Sequence, residues 1–144
     1  MTSTISDAPL LLDTHALLWY AQGTTERLGR RLIGRLDAAA RDDGLRASVW
    51  SVRELGHLIR RGRIAIGVDL RSWVARLGSA CGVIVVPVDA EIARLSAELP
   101  GNPPRDPADQ VIIATARSYG WTLVTRDRAM LDYGRLGHVR VLEA

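Results

Sequence analysis

Four carboxylates stand at the edges of apolar runs, and their spacing points to shared chemistry. They are Asp13, Glu54, Asp109 and Asp127. Asp13 and Asp127 each follow a short apolar run of strand length, whereas Glu54 and Asp109 lie in patterns with helical spacing. In a parallel α/β sheet, strand carboxyl ends and neighbouring helices converge on one crevice. Like charges gathered there raise each other's pKa, and a hard divalent cation such as Mg²⁺ or Mn²⁺ relieves the repulsion. The pattern therefore predicts a metal site of the kind that acts on phosphate.

Each carboxylate also has a purely structural interpretation. Asp13 and Asp127 each precede a predicted helix and could cap it. Asp109 follows Asp106 by three residues with a proline between them, which resembles a capping box. Glu54 lies in an apolar-rich helix, where a lone glutamate ordinarily faces solvent. Structural roles alone would require four independent uses at one sheet edge, so the set favours a common site.

Composition narrows the class of protein. The chain has 144 residues, 47% of them hydrophobic and 24% charged, which is typical of one globular domain spanning 1–144. No apolar run reaches the roughly 18 residues of a membrane span, and residues 1–7 lack the order of a signal peptide. We therefore expect a cytoplasmic protein with no membrane partner. Cys81 is the lone cysteine, which excludes an internal disulfide and a thiolate metal cluster.

The basic residues exclude further mechanisms. All 19 are arginine, so no lysine is present for a phosphate-binding loop or a Schiff base. The three histidines lack zinc-site spacing, and no Gly-x-Ser-x-Gly elbow is present. With four carboxylates gathered in a pocket, the remaining surface is basic despite a net charge of +3. Arg105 and Arg126 flank the acids, and arginine is suited to bidentate phosphate contact.

Short apolar runs alternate with helical patterns along the chain. The predicted strands cover 9–12, 45–48, 83–86, 121–125 and 139–142. The predicted helices cover 16–21, 25–43, 49–61, 69–77, 89–99, 106–119 and 127–133, with an irregular loop at 100–104. This alternation predicts an α/β fold with a parallel sheet covered on both faces.

Four segments carry a family resemblance over nearly the whole chain. They are Leu-Leu-Leu-Asp-Thr-His-Ala-Leu-Leu-Trp at 10–19, Ser51 to Glu54 with Gly-Arg-Ile at 62–64, Arg-Asp-Pro-Ala-Asp at 105–109 with Val-Ile-Ile-Ala-Thr-Ala at 111–116, and Leu-Val-Thr-Arg-Asp at 123–127. At these residues the chain closely resembles the PIN-domain ribonucleases, specifically the VapC toxins of bacterial type II toxin–antitoxin pairs. One departure is that the family's second acid usually follows a tryptophan directly, whereas Trp50 lies further upstream of Glu54. The downstream glycine–arginine spacing still favours Glu54.

The resemblance implies a three-layer α/β/α sandwich, Mg²⁺- or Mn²⁺-dependent cleavage of RNA by activated water, homodimerisation, and inhibition by a cognate antitoxin. Asp13 and Asp109 are the expected direct metal ligands, with Glu54 and Asp127 binding directly or through water. The hydroxyls expected to support these ligands are those of Thr14, Ser51 and Thr125. The arginines expected to contact RNA are Arg105 and Arg126.

Two other functions use the same residues. One is a structure-selective DNA nuclease, because no sequence feature indicates recognition of the 2′-hydroxyl that distinguishes RNA from DNA. The other is a metal-binding PIN module without cleavage, which the intact acids argue against.

The tryptophans lie among apolar residues and are predicted as core or interface anchors. They are Trp19, Trp50, Trp73 and Trp121. Trp19 ends the run Leu17-Leu18-Trp19-Tyr20, only part of which can face the sheet, so we expect some of this helix to contact the antitoxin.

Overall fold

The computed structural model describes residues 8–144, which contain five strands and eight helices. The strands are β1 (Leu10–Leu12), β2 (Leu45–Ser48), β3 (Ile84–Val86), β4 (Thr122–Thr125) and β5 (Val141–Glu143). The helices are α1 (Thr14–Gln22), α2 (Thr25–Leu28), α3 (Arg30–Arg41), α4 (Val49–Arg60), α5 (Leu70–Ser79), α6 (Ala90–Ala97), α7 (Pro107–Tyr119) and α8 (Arg128–Arg135). Residues 1–7, which were used to predict a cytoplasmic location, lie outside the residues that the structure describes.

The strands form one all-parallel sheet in the order β3-β2-β1-β4-β5. Strand β1 is buried over its whole length because both faces of the sheet are covered by helices. Leu10 and Leu12 pack into the core under α1, α3, α4 and α5, whereas Leu11 packs into the core under α7 and α8. The predicted three-layer α/β/α sandwich is thereby confirmed.

The topology fixes where a site can form. From β1 the chain passes to β2 and β3 on one side, then returns to β4 and β5 on the other side. The order of the strands thus reverses between β1 and β4. Binding crevices of open α/β sheets lie outside the carboxyl ends of the strands at such a switch point. Asp13 directly follows β1 there, and Asp127 lies two residues after β4.

Two predicted element boundaries are wrong. The helix predicted over 25–43 is divided into α2 and α3, because Gly29 adopts a φ of 81°, which a right-handed helix does not accommodate. The last strand covers Val141–Glu143 rather than 139–142, since pairing with β4 begins at Val141. Val139 is buried instead as part of the core.

Across residues 8–144, none of the helices has both the length and the apolar character required to cross a membrane.

Candidate active site

Asp13 has both of the roles that its position suggests. It is the N-cap of α1, where its Oδ1 accepts a hydrogen bond from the Ala16 N–H at 2.9 Å. Its Oδ2 accepts a hydrogen bond from the Thr125 hydroxyl at 2.6 Å. The side chain is buried, and this burial raises the pKa of Asp13 above its usual range, although both hydrogen bonds oppose the rise. The capping geometry therefore holds a desolvated carboxylate at the end of β1.

Thr125 connects the ends of the two central strands. Its fully buried hydroxyl donates to Asp13 and accepts from the backbone N–H of Asp127 at 3.0 Å. Asp127 in turn caps α8, its Oδ2 accepting from the Met130 N–H at 3.0 Å. Asp127 is exposed, unlike Asp13. One hydroxyl thus fixes Asp13 and the backbone that presents Asp127.

Glu54 lies on α4 and is held by the first residue of α1. Its Oε1 accepts a hydrogen bond from the Thr14 hydroxyl at 2.6 Å, and Thr14 Oγ1 lies 3.0 Å from Ser51 Oγ. Because a carboxylate only accepts, the single Thr14 hydroxyl hydrogen serves Glu54, and Ser51 donates to Thr14. Glu54 is half-buried, so the default of a solvated glutamate is wrong here. Thr14 and Thr125 thus each donate to one of the predicted acids, whereas Ser51 contacts Thr14; a role for the three hydroxyls beside a metal stays a prediction.

Asp109 lies in the first turn of α7, whose N-cap is Asp106. Asp106 accepts from the Ala108 N–H at 2.9 Å, so the helix start is fixed without Asp109. Burial, followed by the negative charges of Asp106, Asp127, Glu54 and Asp13, raises the pKa of Asp109 to about 7. The structure thus brings the other three predicted acids within electrostatic reach of Asp109.

Asp106 is an acid that the sequence interpretation assigned only to capping. Among the neighbouring carboxylates, its charge has the largest effect on the pKa of Asp109. Its spacing from Asp109 was visible in the sequence, but the capping pattern concealed its second role. Asp106 therefore adds a fifth carboxylate to the group around Asp109.

A divalent cation requires both a suitable arrangement of side chains and suitable ligand atoms. Within residues 8–144, no three His, Cys, Asp or Glu side chains are arranged to hold a metal ion in their present conformations. The chemistry nevertheless fits, because all donors are carboxylate oxygens, which hard cations prefer. Burial and then the neighbouring negative charges raise the pKa of Asp109, and a bound cation would favour its ionised form.

The two arginines expected at the phosphate differ in their surroundings. The Arg126 guanidinium lies 4.9 Å from the centre of the Trp19 ring and donates to the carbonyls of Arg27 and Ala144. Arg105 is exposed in the segment before α7. Arg126 is therefore engaged within the chain, whereas Arg105 has no hydrogen bond to another part of the described chain.

The tryptophans divide into two groups. Trp73 and Trp121 are buried in the core as predicted. Trp19 is half-buried beside two guanidinium groups, those of Arg27 and Arg126. Trp50 is 36% exposed on α4, so a core role is wrong for this residue.

Comparison with known proteins agrees with the fold. The PIN domain family model matches residues 10–136, a range that includes all four predicted acids. Ribonuclease VapC22 of Mycobacterium tuberculosis is 33% identical over 124 residues, which cover 86% of this chain and 91% of the relative. The chain therefore belongs to the PIN domain family, among its VapC-type proteins.

Solved structures share the fold at lower identity. DNA-bound VapBC from Salmonella typhimurium matches with a TM-score of 0.65 at 18% identity, covering 94% of this chain and 98% of the other. VapBC-5 from Mycobacterium tuberculosis matches with a TM-score of 0.57 at 24% identity, covering 95% and 99%. The resemblance seen in the sequence is confirmed at the level of the family and the fold.

Proposed function

We propose that this chain is a Mg²⁺- or Mn²⁺-dependent endoribonuclease, the toxin of a type II toxin–antitoxin pair. The observation that carries the proposal is the set of carboxylates coupled through Asp109 at the switch point between β1 and β4. The VapC22 relative, a ribonuclease by name, supports RNA as the substrate class.

Asp13 and Asp109 would hold the metal directly, and Glu54 and Asp127 would do so directly or through water. When bound, the metal supplies an activated water and neutralises the charge of the phosphate. The remaining work belongs to the protein. Thr125 fixes Asp13, and Thr14 fixes Oε1 of Glu54, which leaves Oε2 to orient the attacking water. No protein nucleophile is required.

The regulatory part of the proposal is a cognate antitoxin and a homodimer. Related solved structures include a toxin–antitoxin complex from Klebsiella pneumoniae, 19% identical with a TM-score of 0.52, and the VapBC complexes above. Leu17 and Leu18 are buried in this chain, whereas Trp19 and Tyr20 are half-buried on α1. Only the exposed parts of these two rings are available to a partner, since Arg27 and Arg126 lie over Trp19 and the Tyr20 hydroxyl donates to Asp37. An arginine of the antitoxin placed among the carboxylates would substitute for the cation.

The test is cleavage of a single-stranded oligoribonucleotide with Mn²⁺ or with EDTA. Without metal the acids repel phosphate, so we expect the chelator to abolish turnover rather than slow it. Asp13→Asn should lower turnover by about a hundredfold or more. Asp132→Asn is the matched control, because Asp132 is an exposed acid of α8 paired with Arg135; it should leave turnover unchanged.

Full cleavage in EDTA would refute the metal-dependent mechanism. Faster cleavage of DNA than of RNA would support the DNA nuclease instead. Mn²⁺ binding without cleavage of either substrate would support the non-catalytic module.

A further inference from the structure

A depression continues from the carboxylates along the surface between α4 and the start of α7. Its volume is about 390 Å³, and its lining includes Trp50, Arg53, Glu54, His57, Asp106 and Pro107. Glu54 is one of the proposed metal-binding acids, and Asp106 is the carboxylate with the largest effect on Asp109. A substrate held at the acids therefore has a direct path into this depression.

Trp50 is the large aromatic surface of the depression. It is 36% exposed, although a ring of this size gains more than most side chains from burial. Its backbone is held firmly, because the Trp50 N–H donates to the Oγ of the helix cap Ser48 at 3.0 Å, and the adjacent Ser51 is fully buried. The indole is thus presented to solvent from a fixed position beside the acids.

An arginine and a histidine share this face of α4. Arg53 and His57 follow Trp50 by three and seven residues, a spacing that places all three on one side of a helix. Both are exposed, and within residues 8–144 neither side chain makes an ion pair or a hydrogen bond. An aromatic face next to an unpaired guanidinium is the combination that binds unpaired nucleotides, since the base stacks and the phosphate meets the cation.

We propose that this depression is a nucleotide subsite, in which Trp50 stacks on an unpaired base adjacent to the scissile phosphate and Arg53 contacts the neighbouring phosphate. The inference rests on the proposed function, because it takes the RNA at the carboxylates as its starting point. It adds that the substrate must be single-stranded at this position. We take RNA rather than a protein segment as the occupant, because the exposed Arg53 can pair with a phosphate while the Trp50 ring offers a face for a base.

The kinetic test compares Trp50→Ala with Val49→Ala on a single-stranded oligoribonucleotide in Mn²⁺. Val49 is the matched control, because it is 43% exposed on the same helical turn but does not line the depression. Loss of one stacking contact should raise KM by about tenfold while kcat changes less than twofold. Trp50→Phe, which keeps an aromatic face, should recover most of the affinity, and Val49→Ala should match the wild type.

Two further measurements separate stacking from a structural effect and from failure of the proposed function. Calorimetry should give the same Mn²⁺ affinity for Trp50→Ala as for the wild type. Stopped-flow mixing with an oligoribonucleotide containing 2-aminopurine reports stacking before any cleavage, and the quenching should be lost in Trp50→Ala. Quenching by a wild type that does not cleave would support the subsite while removing the proposed function.

Equal quenching and equal KM for the wild type and Trp50→Ala would overturn the subsite. Weakened association with a co-expressed antitoxin at unchanged KM for RNA would also overturn it, and would assign the depression to the protein partner. Equal losses in KM for the Phe and Ala variants with lowered melting temperatures would show that Trp50 is structural.

Discussion

At the scale of single residues, the state of the site depends on how Asp109 is charged. Its pKa of about 7 means that the folded protein binds a proton there over a range in which the unfolded chain, with an aspartate pKa of about 3.9, does not. The folded state therefore gains most from Asp109 below about pH 4, and this contribution is lost as the pH rises through about 7. In the proposed mechanism, a metal ion and this proton would compete for the same carboxylate.

Asp109→Asn should raise the melting temperature of the metal-free protein at pH 8, by about 3 °C, because it removes a buried negative charge beside other acids. At pH 3 the wild-type carboxyl is largely protonated in both the folded and the unfolded state, so the two proteins should melt nearly together. Thermal melts in EDTA at both pH values measure this, with Asp132→Asn as the control. A shift of the same size at both pH values would show that the charge of Asp109 is not its cause.

Local sequence patterns reveal some residues of the candidate site and not others. The four acids were predicted because each follows or lies within a recognisable local pattern. The hydroxyls that hold them were predicted from the family resemblance, but their pairing was not, since Thr125 and Asp13 are 112 residues apart. Asp106 was missed because local capping explained it completely, and its electrostatic role depends on where α7 lies against the sheet.

At the scale of elements, short strands and helix starts do the positioning. Asp13, Asp106 and Asp127 each cap a helix and also lie in the group of carboxylates around Asp109, so in the proposed function capping and chemistry share the same side chains. The strands were predictable from buried apolar runs, whereas the break at Gly29 was not, because the apolar spacing of α2 and α3 continues across it. The start of β5 was missed because pairing rather than composition decides it.

Helix α1 carries the prediction on regulation. Trp19 is half-buried, so part of its ring is exposed to solvent. The Arg126 guanidinium lies 4.9 Å from the centre of this ring. Trp19→Ala should weaken antitoxin binding by about tenfold or more while changing RNA cleavage by less than twofold, because the truncation removes an aromatic anchor outside the carboxylates. Expression of the wild-type chain alone should arrest growth, and co-expression of the antitoxin should restore it.

Val68→Ala is the control for this experiment, since Val68 is 40% exposed and lies outside α1. Antitoxin affinity and thermal melting should be measured together. A large fall in melting temperature without a selective loss of affinity would remove Trp19 from the interface.

At the scale of the whole molecule, acidic and basic groups are unevenly distributed. Five carboxylates lie near one another at the carboxyl edge of the sheet, so the rest of the chain is more basic than the net charge of +3 indicates. A phosphate chain is thus attracted to the surface around an acidic site that repels it until a cation is bound. The single domain over 1–144 and the homodimer stay predictions.

Calorimetry with Mn²⁺ tests the central claim most directly, because it measures the metal site without requiring a substrate. The wild type should bind Mn²⁺, Asp13→Asn and Asp109→Asn should each weaken binding by at least about tenfold, and Asp132→Asn should leave it unchanged. The wild-type affinity should also increase as the pH rises toward and past 7, following the deprotonation of Asp109. Unchanged Mn²⁺ binding in both acid variants would contradict the assignment of these carboxylates to a metal site.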